Sequence, residues 1–176
     1  MNFSQRVRMT ALLLVLICMM TPALASASAG TPSPELLHLI SENSKLDLTP
    51  YTGKAIFLNF FTEWCGNCMV EMPDIRQTFD NYSEDELQII LVHAWSGEDE
   101  TNSESVRKRF GMEAMTFFED DDMGLSQGLG VQGYYPVSIF INKEGFLHTL
   151  KIGTLSLENM ESLMDEMGVA RKPAHD

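Results

Sequence analysis

Two cysteines three residues apart, Cys65 and Cys68 in Trp64-Cys65-Gly66-Asn67-Cys68, are the residues of this chain best suited to covalent chemistry. Thiol–disulfide exchange needs a thiolate that attacks and a second thiol near enough to resolve the mixed disulfide before the partner drifts away. On the first turn of a helix a spacing of three puts both sulfurs on one side, where they can bond without rearranging the backbone. Unpaired N–H groups and the positive dipole end at such a helix start stabilise negative sulfur. That assigns the nucleophile to Cys65 and the resolving role to Cys68, one turn further in. Gly66 lets a partner chain approach closely, and Asn67 tunes the helix start.

Other chemistries compete for the same residues. A structural zinc needs four ligands, and the third cysteine of the chain, Cys18, falls in a segment expected to be removed. His38, His93, His148 and His175 lack ligand spacing and read as surface or packing residues. A non-enzymatic metal-binding or copper-delivery module on Cys65 and Cys68 is one alternative, although most of the twelve methionines fall on helical apolar stripes that read as core. A peroxidase is another: Thr62-x-x-Cys65 resembles the tail of the peroxiredoxin motif, with Leu58 where that motif has a proline. The expected working group is the disulfide itself, with no metal and no separate cofactor.

Arg6 and Arg8, the apolar run from Ala11 to Met20 and the small residues Ala23, Ala25, Ala27 and Ala29 have the three-part form of an export signal. Cleavage is expected after Ala25, or as late as Ala29, leaving a domain over residues 30–170 and a flexible polar tail over 171–176. The apolar run is shorter than the roughly 20 residues that span a bilayer, so no membrane span is expected after processing. Lipid attachment at Cys18 is disfavoured by the bulky Ile17 before it. The formal charge of −13 becomes two units more negative once Arg6 and Arg8 are lost, which excludes nucleic acid and anionic lipid as partners. The clusters Glu98-Asp99-Glu100 and Glu119-Asp120-Asp121-Asp122 read as solvated loops or as a docking surface for a basic partner. Only Cys65 and Cys68 survive processing. Their short loop gains little closure entropy, so stapling the fold is not their purpose.

The elements that must position the pair follow from periodicity. Ser33-Pro34 reads as the cap and first position of a short helix. Ala55 to Phe61 is an almost unbroken apolar run, hence a strand buried on both faces that ends at the cysteines. Val70, Ile75 and Phe79 then recur at helical spacing, with Pro73 expected to kink the helix. Leu87 to Ala94 is a second strand, followed by a helix over Ser103 to Phe110, so the first strands pair parallel. Met115 to Phe118 reads as a short strand, Met123 to Leu129 as a short helix, and Val137 to Ile141 as a strand. The turn Asn142-Lys143-Glu144-Gly145 returns Phe146 to Ile152 antiparallel. Leu157, Met160, Leu163, Met164 and Met167 mark a closing amphipathic helix.

This pattern resembles the thioredoxin superfamily, and within it the TlpA/ResA-type periplasmic thiol–disulfide oxidoreductases. The likeness rests on Gly53-Lys54, on Asn59 through Pro73 with its Trp64-Cys65-Gly66-Asn67-Cys68 and Glu71-Met72-Pro73, on Gly130 through Pro136, and on Asn142 through Gly145. It implies an α/β thioredoxin-like fold, a central mixed sheet flanked by helices, with an insertion over about 97–122. It implies a glutamate at Glu71 that influences the thiols, and physically a partly buried carboxylate would raise their pKa and accept a proton from the resolving one. Asn59 stands where cytoplasmic thioredoxins usually carry a buried aspartate, which leaves Glu71 as the proton carrier. Pro136 matches the family's cis-proline, where the backbone of the preceding residue, here Tyr135, meets the substrate; a small or β-branched residue is commoner there. Trp64 is expected to pack beside the pair and cover the nucleophile. The role implied is a periplasmic reductant, for instance of cysteines awaiting haem attachment in c-type cytochromes, with protein thiols and disulfides as substrates and a membrane-bound electron donor.

Overall fold

A computed structural model describes residues 35–95 and 103–173 of the chain. The export signal over 1–25, Cys18, the Ser33-Pro34 cap, Glu98-Asp99-Glu100, the opening of the insertion and His175 lie outside the described residues. The first described helix, α1, is Leu36–Asn43, with Glu35 at its N-cap and no side-chain cap bond there.

The apolar run Ala55–Phe61 forms strand β1, buried along its whole length. Because side chains alternate across a strand, its odd positions Phe57 and Phe61 join one core and its even positions Ile56, Leu58 and Phe60 join another. Each fully buried phenylalanine contributes roughly 1.5–3 kcal/mol of burial, which makes this run the spine of the fold. Asn59 shares the odd face, so it points the same way as Phe57 and Phe61.

Helix α2, Gly66–Asn81, covers that odd face with Cys68, Met72 and Ile75 and runs on through the exposed Pro73. Strand β2, Leu87–Ala94, pairs parallel with β1 and puts His93 opposite Phe61. Helix α3, Glu104–Arg109, leads to strand β3, Thr116–Asp120, which pairs parallel with β2 and sets Glu119 opposite His93. Described residues of the expected insertion therefore supply an edge strand of the main sheet. The short helix α4, Gly124–Gly128, precedes strand β4, Val137–Ile141, antiparallel to β1, and strand β5, Leu147–Ile152, antiparallel to β4. Gly145 closes the β4–β5 turn at φ 85°, a conformation that favours glycine. Helix α5, Leu157–Glu166, buries Met160, Leu163 and Met164 and packs with α2.

The sheet order is β3-β2-β1-β4-β5. This is the mixed α/β architecture expected, with α2 and α5 on one face and α1 and α4 on the other. The acidic run at 119–122 is neither plainly solvated nor plainly a docking surface. Asp120 is buried and accepts the backbone N–H groups of Leu125 and Ser126 and the Ser126 hydroxyl. Asp121 and Asp122 pair with Lys45, and Glu119 pairs with His93. The polar tail is also tied down at its start. Arg171 bridges to Tyr82, pairs with Glu161 and Asp165, and is followed by Lys172 donating its N–H to Asn81. No described helix is long and apolar enough to cross a membrane.

Candidate active site

The strand-to-helix junction after β1 carries the cysteines. Cys65 sits at the N-cap of α2 with φ −80° and ψ 101°, held by its own N–H on the Thr62 carbonyl at 3.2 Å. Its sulfur accepts the Cys68 N–H at 3.1 Å, so an orphan donor of the first turn points at sulfur, as a thiolate requires. The two cysteines form a disulfide with Cα atoms 5.2 Å apart. Cys65 retains 7% of its surface and Cys68 none, so Cys65 is the outer and Cys68 the inner member of the pair.

Glu71, three residues after Cys68 on the buried side of α2, is wholly inaccessible. Its Oε1 accepts the Leu155 N–H at 3.2 Å and its Oε2 meets Asn59 Nδ2 at 3.5 Å. Burial pushes the carboxyl up to about 7, against the Leu155 N–H and Asn59, which favour the charged form, while Asp74 adds repulsion. Asn59 also donates to Ser138 Oγ at 3.1 Å, whereas its Oδ1 and the Thr62 hydroxyl, both buried, have no hydrogen-bond partner among the described residues. The packing of α2 on the odd face of β1 thus seals Glu71 from water.

Around the pair the surface is aromatic. Trp64 does not lie as a packed cover over the nucleophile: it is 66% exposed, its ring set edge-on to Tyr135 at 6.1 Å. Tyr134 and Val70 are also exposed. The Tyr135–Pro136 bond is cis, and Pro136 is buried at the start of β4. Gly66 and Asn67 are exposed, and a Cβ at Gly66 would meet nothing within 4 Å, so this chain's own packing does not demand the glycine. Glu71 and Asn59 come together as residue types and strand parity imply, and Trp64 and Tyr135 meet although 71 positions apart would not have announced it.

One cluster was not foreseen. His93 is fully buried, with Nε2 2.6 Å from Glu63 and Nδ1 2.6 Å from Glu119. Glu119 in turn accepts the Ser103 N–H at 3.0 Å and the Ser103 hydroxyl. Burial works to raise the Glu119 pKa, but the Ser103 hydroxyl, His93 and the Ser103 N–H together hold it below its ordinary value. A histidine inside the apolar run Leu87–Ala94 was the available sign, since a buried imidazole requires partners.

Sheet order, helix layers and the cysteine pair at a helix start define a thioredoxin-like fold. Residues 30–149 match the AhpC/TSA family, and the chain belongs to it. It is 28% identical over 142 residues to the thiol-disulfide oxidoreductase ResA of Geobacillus thermodenitrificans, covering 81% of this chain and 79% of that protein. To ResA of Bacillus subtilis it is 24% identical over 164 residues, covering 89% of each. Among solved structures, a secreted Mycobacterium tuberculosis disulfide oxidoreductase homologous to E. coli DsbE superposes with a TM-score of 0.58 at 18% identity, over 69% of this chain and 87% of that one.

Proposed function

We propose that this protein, a thiol–disulfide oxidoreductase built on the Cys65–Cys68 couple, works outside the cytoplasm as a reductant of protein disulfides. In the reduced state the Cys65 thiolate attacks a partner disulfide, forming one mixed disulfide and releasing one partner thiol. Cys68 then loses its proton and attacks Cys65 Sγ. The second partner thiol leaves, two electrons having passed to the partner and the Cys65–Cys68 bond having formed. The observation that carries this reading is Glu71: a buried carboxyl poised near neutrality, one helical turn beyond the buried Cys68, suits the acceptance of that proton.

Gly66 and Asn67 leave the approach to Cys65 open, Pro136 presents the Tyr135 backbone to an extended partner segment, and Trp64 with Tyr135 forms the aromatic wall beside it. The substrate class inferred is the oxidised cysteine pair of a protein such as a c-type cytochrome awaiting haem, with a membrane-bound donor restoring the dithiol. Export rests on Arg6, Arg8 and the apolar run after them.

The test is the reduction potential of the Cys65–Cys68 couple, read by counting free thiols after equilibration in graded thiol buffers. A value below about −200 mV is expected for a reductant; one near about −120 mV would make the protein an oxidant, and absence of a reversible couple would end the reading altogether.

A further inference from the structure

We propose that His93 is a positioning residue for the nucleophile: it moors Glu63, two residues before Cys65, and offsets part of its charge. This rests on the assignment of Cys65 as the attacking thiol.

The link from Phe61 to Cys65 is three residues long. In it Thr62 is buried, Trp64 turns to solvent, and the Glu63 carboxylate reaches His93 at 2.6 Å. That contact joins the link to β2, and the Glu119 contact joins His93 to β3. Ser103, immediately before α3, closes the chain on Glu119. Phe61, His93 and Glu119 are register partners on three adjacent strands, so the clamp spans the ends of β1, β2 and β3 nearest the cysteines. The Phe61 ring lies 5.3 Å from the imidazole and 6.1 Å from Phe117, walling the cluster with apolar surface.

The proton count follows from the contacts. A neutral imidazole has a single N–H to give, yet both ring nitrogens face carboxylate oxygens at 2.6 Å. Satisfying both takes one proton more than a neutral ring carries. A ring bearing both N–H groups shares its single positive charge between Glu63 and Glu119, so it lowers rather than abolishes the negative charge that Glu63 brings to the cysteine link. Packing alone explains neither two short contacts on opposite ring edges nor the carboxylate drawn in from the cysteine link.

The experiment is the pH profile of Cys65 alkylation by iodoacetamide in the reduced protein. His93→Gln is expected to raise the midpoint by about half a pH unit, roughly a threefold loss of rate below it. Placed in a Glu63→Gln background, the same His93→Gln change is expected to shift nothing, because it acts through Glu63. An equal shift in both backgrounds overturns the proposal. So does an unmoved midpoint in a His93→Gln protein whose melting temperature has fallen. As His93 is buried, a second measurement needs no variant: proton NMR of the unmodified protein is expected to show two exchange-protected imidazole N–H signals from His93, and one alone overturns the proposal. Reversibility of the disulfide couple is scored separately. A reversible couple with an unmoved midpoint removes only the clamp, whereas an irreversible couple removes the nucleophile assignment beneath it.

Discussion

Glu71 and Glu119 lie on the same face of the sheet, one on the helix behind the cysteines and one at the end of an edge strand, and their environments drive them in opposite directions. Glu71 is sealed from water and meets one backbone N–H and one amide at the limit of hydrogen bonding, with no cation paired to it among the described residues. Its carboxyl rises to about 7. Glu119 is partly open, and the Ser103 hydroxyl, the imidazole and the Ser103 N–H hold it below its ordinary value against the effect of burial. Burial without a counter-charge makes a group that exchanges its proton near neutrality; burial offset by hydroxyl, imidazole and N–H partners makes a fixed anchor. On the reading proposed above, one cluster serves proton transfer and the other positioning.

The largest effect expected is on turnover. Glu71→Gln removes the proton acceptor while keeping the volume, and resolution of the mixed disulfide is expected to slow about 10²-fold at neutral pH, with the mixed disulfide accumulating in stopped-flow traces. Unchanged resolution would show that water deprotonates Cys68 and that Glu71 is no proton carrier. The same substitution probes stability. Since the folded-state pKa of Glu71 lies above its ordinary 4.5, the folded chain binds more protons than the unfolded one between about 4.5 and 7. Its stabilising contribution is full below that window and lost as pH rises through it, by roughly 3 kcal/mol. Urea unfolding of the oxidised protein at pH 4.5 and pH 8 is therefore expected to show the Glu71→Gln variant gaining on the unmodified chain by that amount. Parallel pH slopes would mean that Glu71 stays charged in the fold.

Much of this contrast could be read from residue order. The run Ala55–Phe61 announced β1, and strand parity with helical spacing brings Asn59 and Glu71 to one interface. The disulfide and the Pro136 turn were legible because their motifs are local. The clamp was not, because Glu63, His93 and Glu119 meet only through the parallel registers of β1, β2 and β3. Asp120 escaped for a similar reason: inside an acidic run nothing local separates a buried acceptor for Leu125 and Ser126 from its solvated neighbours. The exposure of Trp64 depends on where Tyr135 arrives from β4, which the cysteine motif does not encode. Long-range pairing carries the information that composition and periodicity lack.

The smallest effect expected, and the sharpest check on the contrast, is the pH dependence left by Glu119→Gln. Its folded-state pKa is depressed, so its contribution is present above the unfolded value and lost as pH falls through the folded one. The variant is thus expected to be less stable than the unmodified chain at pH 7 and equal to it in strong acid, opposite in sign to Glu71. With 42% of the Glu119 side chain in water, screening limits the difference to under about 1 kcal/mol. Unfolding midpoints at pH 7 and pH 3 decide it. If the gap instead widened toward acid, Glu119 would be a second strained carboxyl like Glu71, and the division between a proton carrier and an anchor would fail.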